Sequence, residues 1–232
     1  MFAYWAKRFR WDYTSRIDAF SDALLTRVLP AFANIGAESQ QIAEEVYRSL
    51  TRGLGEDEDP ADYAEHAQNE AISYSETMTE TRQGIVNMFA AGLWHLFEQQ
   101  LADLVRTAIL SDPVDNPNFS ESETAIRTSW HIDITTLPSC KGLDELRLLA
   151  NCGKHGDGPS CNRLRQLRPT LFTMFPPDDP INKLSGGRTR VIAPFGGEHL
   201  YVTDDDFRRY VAVVKAFWTE FSEEIRKRYP GR

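Results

Sequence analysis

Ile85-Val-Asn-Met-Phe-Ala-Ala-Gly-Leu-Trp-His-Leu-Phe-Glu-Gln-Gln-Leu-Ala-Asp-Leu-Val-Arg-Thr-Ala108 is the stretch whose reading decides the fold. Its large apolar residues (Ile85, Phe89, Leu93, Leu96, Phe97, Leu101, Leu104, Val105) recur at steps of three and four. That is the period of an α-helix turning a wide apolar face to a core. Helical patterning reaches back to Ala61, so one long stretch is expected over 61–110, with a break near Ser75–Thr79. His95 and Glu98 stand three apart on it, beside Trp94 and Phe97.

Working outward, the same period recurs. Thr14 to Leu29 carries Ile17, Phe20, Leu24 and Val28 at helical spacing, and Pro30 ends or kinks that helix. Ser39–Leu50 reads as a second helix, 53–60 as an acidic loop, and Pro60 as a helix start. Residues 111–122, with Pro113 and Pro117, read as a loop, and 133–140 as irregular. A further helix is expected over 142–154, broken by Gly156-Asp-Gly-Pro-Ser160, with Ser160 capping the next. The segment 169–187 is Pro-rich and irregular, and 188–192 and 198–202 are β-prone around Gly196-Gly197, which predicts a hairpin. Thr203 and Asp206 form a capping-box pattern. It would open a last helix with Phe207, Tyr210, Val211, Val214, Phe217, Trp218, Phe221 and Ile225 inward. The expected fold class is all-α: a helical bundle with a small β-hairpin near 188–202, in a single domain spanning 1–232.

Composition narrows the class. The chain is 41% hydrophobic and 26% charged, and no run approaches the ~18 uncharged apolar residues of a membrane span. Lys7, Arg8 and Arg10 are interleaved with aromatics instead of preceding an apolar run, so no export signal is read. Three cysteines suit a reducing compartment, and cytoplasmic placement is expected. Net charge is −8, unevenly spread. Nine acids and no Lys or Arg lie between Arg52 and Arg82, whereas 141–190 holds nine Lys/Arg against five acids. Such asymmetry permits a polyanion site, although charge runs are commonly solvated faces.

The helix over 142–154 carries the candidate chemistry. At about 100° per residue, Leu143, Leu146, Leu149, Ala150 and Gly153 fall on a core side. Arg147, Asn151, Lys154 and His155 fall together on another, with Asp144 alongside. Gly156 then ends the helix and leaves His155 at its C-terminal turn, where the dipole favours a protonated imidazole. A histidine can move the proton of a 2′-hydroxyl or a leaving oxygen. Two cations can hold phosphate oxygens, and an amide can orient either group. The plainer reading is a solvated stripe with a Lys-His pair serving as C-cap. Glu98 and His95 on the long helix are candidates to support the site from across the bundle, as is Asp144 beside Arg147.

Cys140, Cys152, His155 and Cys161 offer a Cys₃His zinc site as a rival. Helical rise would hold Cys140 about 18 Å from Cys152, and no Cys-x₂-Cys knuckle exists, so no metal is assigned. No phosphate loop or dinucleotide fingerprint is present, and no cofactor is expected.

Glu145-Leu-Arg-Leu-Leu-Ala-Asn-Cys-Gly-Lys-His-Gly156 resembles the HEPN superfamily, and Ala91-Gly-Leu-Trp-His-Leu-Phe-Glu-Gln-Gln-Leu101 looks like the helix that packs beside its motif. The family signature is an arginine, usually a following Asn, four to six residues and a histidine. Asn151 and His155 match its Asn and His; Ala150 stands where its arginine would be, and Arg147 lies one turn earlier. The resemblance implies a helical bundle and a metal-independent endoribonuclease, as in toxin and defence systems. It also implies RNA as substrate, a homodimer and an antitoxin or other regulatory protein as partners. The alternative is a non-catalytic HEPN-like module that binds a partner protein, RNA or a nucleotide, with the acidic 56–80 segment as a cover for a basic face.

Overall fold

A computed structural model describes residues 2–53, 55, 59–109, 117–174, 190–197 and 199–230. The long helical stretch is α4, Pro60–Ala108, and everything else is arranged along it. It starts where Asp59 Oδ1 accepts from the Ala61 amide, with Pro60 at the first helical position. The break expected near Ser75–Thr79 is absent. Thr77 and Thr81 hydroxyls bond back to the carbonyls of Ser73 and Thr77, both at 2.8 Å, so the polar run stays helical. A neighbouring helix, α3 (Ile35–Leu50), packs along this half, with Tyr74 donating to Glu38 and Ser39 to the Ala71 carbonyl.

Ahead of α3 the chain is helical from Phe2 to Phe32. α1 (Phe2–Arg8) and α2 (Thr14–Asp22) are joined by a π turn at Phe9–Tyr13, and a second π turn (Ala23–Val28) runs into a 3₁₀ turn with Pro30. After α4 come α5 (Phe119–Trp130), α6 (Cys140–His155), α7 (Pro159–Leu167) and α8 (Asp204–Arg228). α5 begins inside the segment read as a loop. Asn118 and Glu121 cap each other reciprocally there, a signal that the prolines masked. α7 is capped at Gly158 with Pro159 first, and Ser160 lies inside it, because proline fits the first helical turn. Thr203 and Asp206 make the expected capping box, and the eight residues expected inward on α8 are all buried.

One aromatic cluster fills the centre. Phe9 and Tyr13 meet Trp218 with ring centroids at 5.0 and 4.7 Å, and Phe97 meets Phe217 edge-on at 4.9 Å. The buried Gln100 amide donates to the Tyr13 carbonyl and accepts from Trp218 Nε1, tying α4 to the N-terminal helices and to α8. α6 is tied to α8 at its start, where the Ser139 amide and hydroxyl donate to Glu220. It is tied again at Glu145, which accepts from Tyr210, Arg209 and Arg168. Glu145 sits about 160° round α6 from Arg147, so that anchor fixes which way the polar stripe faces.

Among the described residues there is no strand, so the fold is all-α without the expected hairpin. Residues 190–197 and 199–202 instead are irregular, with a 3₁₀ turn at Pro194–Gly196. Many of their backbone groups bond to other parts of the chain: the Val191 carbonyl accepts from the Asp157 amide, and the Tyr201 amide donates to the Leu171 carbonyl. Buried Asn87 donates to the carbonyls of Pro194 and Leu200 and accepts from the Val202 amide, while Gln83 donates to the Val202 carbonyl. The turn lies so close to α4 that a Cβ on Gly84 would stand 2.4 Å from the Phe195 carbonyl oxygen. Residues 54, 56–58, 110–116, 175–189 and 198 lie outside the described set, which takes in parts of the expected acidic loop, the 111–122 loop, the Pro-rich segment and the hairpin. No described helix is long and apolar enough to cross a membrane.

Replacing Asn87 by leucine leaves two carbonyls and one amide without their partner in a buried site. A loss of about 3 kcal/mol is expected, from the ~1–3 kcal/mol cost of each buried unsatisfied group with partial relaxation. Urea unfolding of the parent and the variant measures it, and a change below about 1 kcal/mol would contradict this role for Asn87.

Candidate functional site

The polar stripe of α6 forms one wall of a cleft of about 890 Å³. Arg147, Asn151 and Lys154 all line it, together with Asp144 and Ala150. The opposite wall is α4, through Trp94, His95 and Glu98. The first turn of α5 closes one end with Asn118 and Phe119, and Phe195 from the turn against α4 lies over Gly153, where an added Cβ would meet its ring at 3.0 Å. A smaller chamber of about 320 Å³ shares Trp94, Phe119, Asp144 and Arg147 with the cleft and continues toward Cys140 and Leu143.

Six of the seven residues singled out in the sequence therefore converge: Arg147, Asn151, Lys154, Asp144, His95 and Glu98. His155 is not among the lining residues; it is exposed at the last turn of α6. Sequence reasoning missed Phe119 and Phe195. The Asn118-x-x-Glu121 box was the available signal for the first, whereas Phe195 depends on docking of a segment with no local pattern.

The charges are organised asymmetrically. Asp144 is shared: Oδ1 accepts from Arg147 Nη2 at 2.6 Å and Oδ2 from Arg163 Nη2 at 2.9 Å. Asp144 thus holds the Arg147 guanidinium against the cleft wall. Lys154 is exposed and has no ion-pair partner among the described residues, and the Asn151 amide likewise makes no side-chain hydrogen bond there. Glu98 stands across from them. Burial lifts its carboxyl above the usual range, while His95, a hydrogen bond from Trp94, and the charges of Lys154 and Arg147 pull it back. His95 Nδ1 is 4.0 Å from Glu98 Oε2, and its Nε2 lies 3.0 Å from the Gln99 amide nitrogen.

The zinc reading is not met. Cys140 donates to the Ile134 carbonyl, Cys152 faces Cys161, and no group of three or more His, Cys, Asp or Glu among the described residues could hold a metal ion. The described acids of the 59–80 stretch line the first half of α4 beside α3. From Glu80 to the first cleft residue, Ala91, is about 16 Å along the axis, so they do not cover this cleft within the chain. No family model, no curated protein and no solved structure matches the chain.

Glu98 gives a pH signature. Its carboxyl binds its proton more tightly folded than unfolded, so the folded state holds more protons between the ordinary glutamate value near 4.5 and the raised one. Stability attributable to Glu98 is therefore intact below that window and falls as pH rises through it. Glu98→Gln is expected to be more stable than the parent at pH 7 and equal to it near pH 4, as read by urea unfolding. An equal gap at both pH values would count against the burial of this charge.

Proposed function

We propose that the cleft binds single-stranded RNA, taking one nucleotide unit with its base against Phe119, beside the buried Trp94, and its phosphate on Lys154 and Arg147. The observation that carries this reading is the convergence of two cations, an unpaired amide and aromatic walls on a single cleft. Aromatic faces accept any base by stacking, at roughly 1–3 kcal/mol per base, and cations track the backbone. The first turn of α5 adds the partial positive charge of a helix N-terminus to the same cleft. Asn151, with no partner among the described residues, is available to a base edge or a phosphate oxygen. The smaller chamber beyond Arg147 offers room for a neighbouring base. This is the non-catalytic form of the HEPN-like reading, and Ala150 in the arginine position agrees with it.

A second reading, metal-independent RNA cleavage, is favoured by one observation. His155 directly follows Lys154, is exposed, and ends α6 beside the cleft's edge. In that reading His155 is the general acid or base, and the 2′-hydroxyl next to the bound phosphate is the nucleophile. Arg147 and Lys154 offset charge on the phosphoryl oxygens. A homodimer and an antitoxin-like regulatory protein remain proposals that rest on the family resemblance alone.

Lys154→Ala should weaken binding of fluorescent oligo-RNA of any sequence and reduce the slope of log K against log salt by about 0.7, the contribution of one phosphate contact on a single strand. Unchanged affinity and slope, read by anisotropy, would remove the cleft from consideration. Incubating the parent and His155→Ala with mixed RNA in chelator separates the second reading. Cleavage by the parent alone, leaving 2′,3′-cyclic ends, establishes it, whereas binding without cleavage by either protein leaves the first reading standing.

A further inference from the structure

Cys152 and Cys161 take no part in the cleft. Both are fully buried, one on α6 and one on α7, and their Sγ atoms face each other at 2.7 Å across the turn that joins the two helices. We infer that Cys152 and Cys161 are a redox-active dithiol that closes to an intramolecular disulfide between α6 and α7. The two side chains already converge, so the bond forms without moving either helix far.

The surroundings assign the roles. Arg165 Nη2 lies 4.0 Å from Cys161 Sγ, and the guanidinium is held there by Asp157 at 3.5 Å and by stacking on Phe172 at 4.7 Å. The Cys152 thiol donates to Cys161. That hydrogen bond, with Arg165 assisting, stabilises a thiolate at Cys161, whereas the same bond and burial keep Cys152 protonated. Cys140 behaves differently. It donates to the Ile134 carbonyl, and burial beside Glu220 pushes its thiol up to about 11, so it stays a structural thiol.

With hydrogen peroxide as oxidant, the Cys161 thiolate attacks one peroxide oxygen. The O–O bond breaks, hydroxide leaves and a sulfenic acid forms at Cys161. Cys152 sulfur then attacks the Cys161 sulfur, the S–O bond breaks, and the released hydroxide takes up the Cys152 proton as water. Two thiols and one peroxide thus become one disulfide and two waters. The bond would tie the last turn of α6, which carries Asn151 and Lys154, to α7, whose Arg163 holds Asp144.

The test treats the reduced, native full chain with hydrogen peroxide, then alkylates it in denaturant and digests it with trypsin. Cleavage after Arg147, Lys154 and Arg163 leaves Cys152 in the peptide Leu148–Lys154 and Cys161 in His155–Arg163. The expected product is these two peptides joined, two hydrogens lighter than their sum and separated again by reductant, with Cys140 alkylated. In Cys152→Ala, dimedone should capture a sulfenic acid at Cys161. Separate, alkylated Cys152 and Cys161 peptides after peroxide would overturn the pairing, and dimedone capture at Cys140 would overturn the assignment of Cys161.

Discussion

Asn87 is the side chain on which the shape of the cleft depends. It is 1% exposed on a helix face that would ordinarily be apolar, and its amide uses both ends: two hydrogen bonds given to Pro194 and Leu200, and two taken, from Val202 and from Gln83. The described residues between Arg190 and Val202 have no strand partner, so their polar backbone can be buried only where side chains or other backbone supply donors and acceptors. Asn87 and Gln83 supply them. Close approach then becomes a second requirement: Gly84 has no Cβ to obstruct the Phe195 carbonyl, and Gly197 sits at φ +81 against the Glu80 carbonyl. Phe195 is held by these contacts, and it is the wall that stands over Gly153 of α6. A polar exception in the core therefore sets one boundary of the cleft 60 residues or more away along the chain.

The other walls owe their precision to a different device. Gln100, on the same helix as Asn87, links Tyr13 to Trp218 inside an aromatic cluster, so α4 is fixed to both chain ends. α6 is pinned to α8 by Ser139 with Glu220 and by Glu145 with Tyr210 and Arg209. The side chains that converge on the cleft thus ride on helices held by buried hydrogen bonds, not on loops. A site on such elements keeps its spacing better than one on a mobile connection.

Much of this was legible in the sequence, for one reason: helical periodicity is a local property. The stripe of α4, the polar face of α6, and the Thr203–Asp206 box with its eight inward residues are all read within one element, and each agrees with the structure. The misreadings share the opposite cause. The 190–202 run has the β-branched residues and paired glycines of a hairpin, but its hydrogen bonds are made by Asn87 and Gln83, more than 100 residues earlier. Ser75–Thr79 looks like a break until α3 lies against it and the threonine hydroxyls turn back on their own helix. His155 shares a helical wheel with Asn151, but a wheel has no axial coordinate. The cleft ends at Lys154, and the next residue lies beyond its edge.

The charges in the cleft are arranged differently from the chain's net charge of −8. Asp144 is the acid nearest Arg147, and it is already divided between two guanidinium groups, so it orients positive charge and does not cancel it outright. Glu98 and Glu123 are the other acids in the cleft; Glu123 pairs with Arg127 at 3.1 Å, and burial makes the ionised form of Glu98 costly. Lys154 and Arg147 are among the groups that hold that carboxylate down, so any anion that engages them withdraws part of its support. Binding of a phosphate and protonation of Glu98 are for this reason linked, each favouring the other. The protonated carboxyl also gains a donor, which turns an acidic wall of the cleft into one that can bond a phosphate or a base carbonyl.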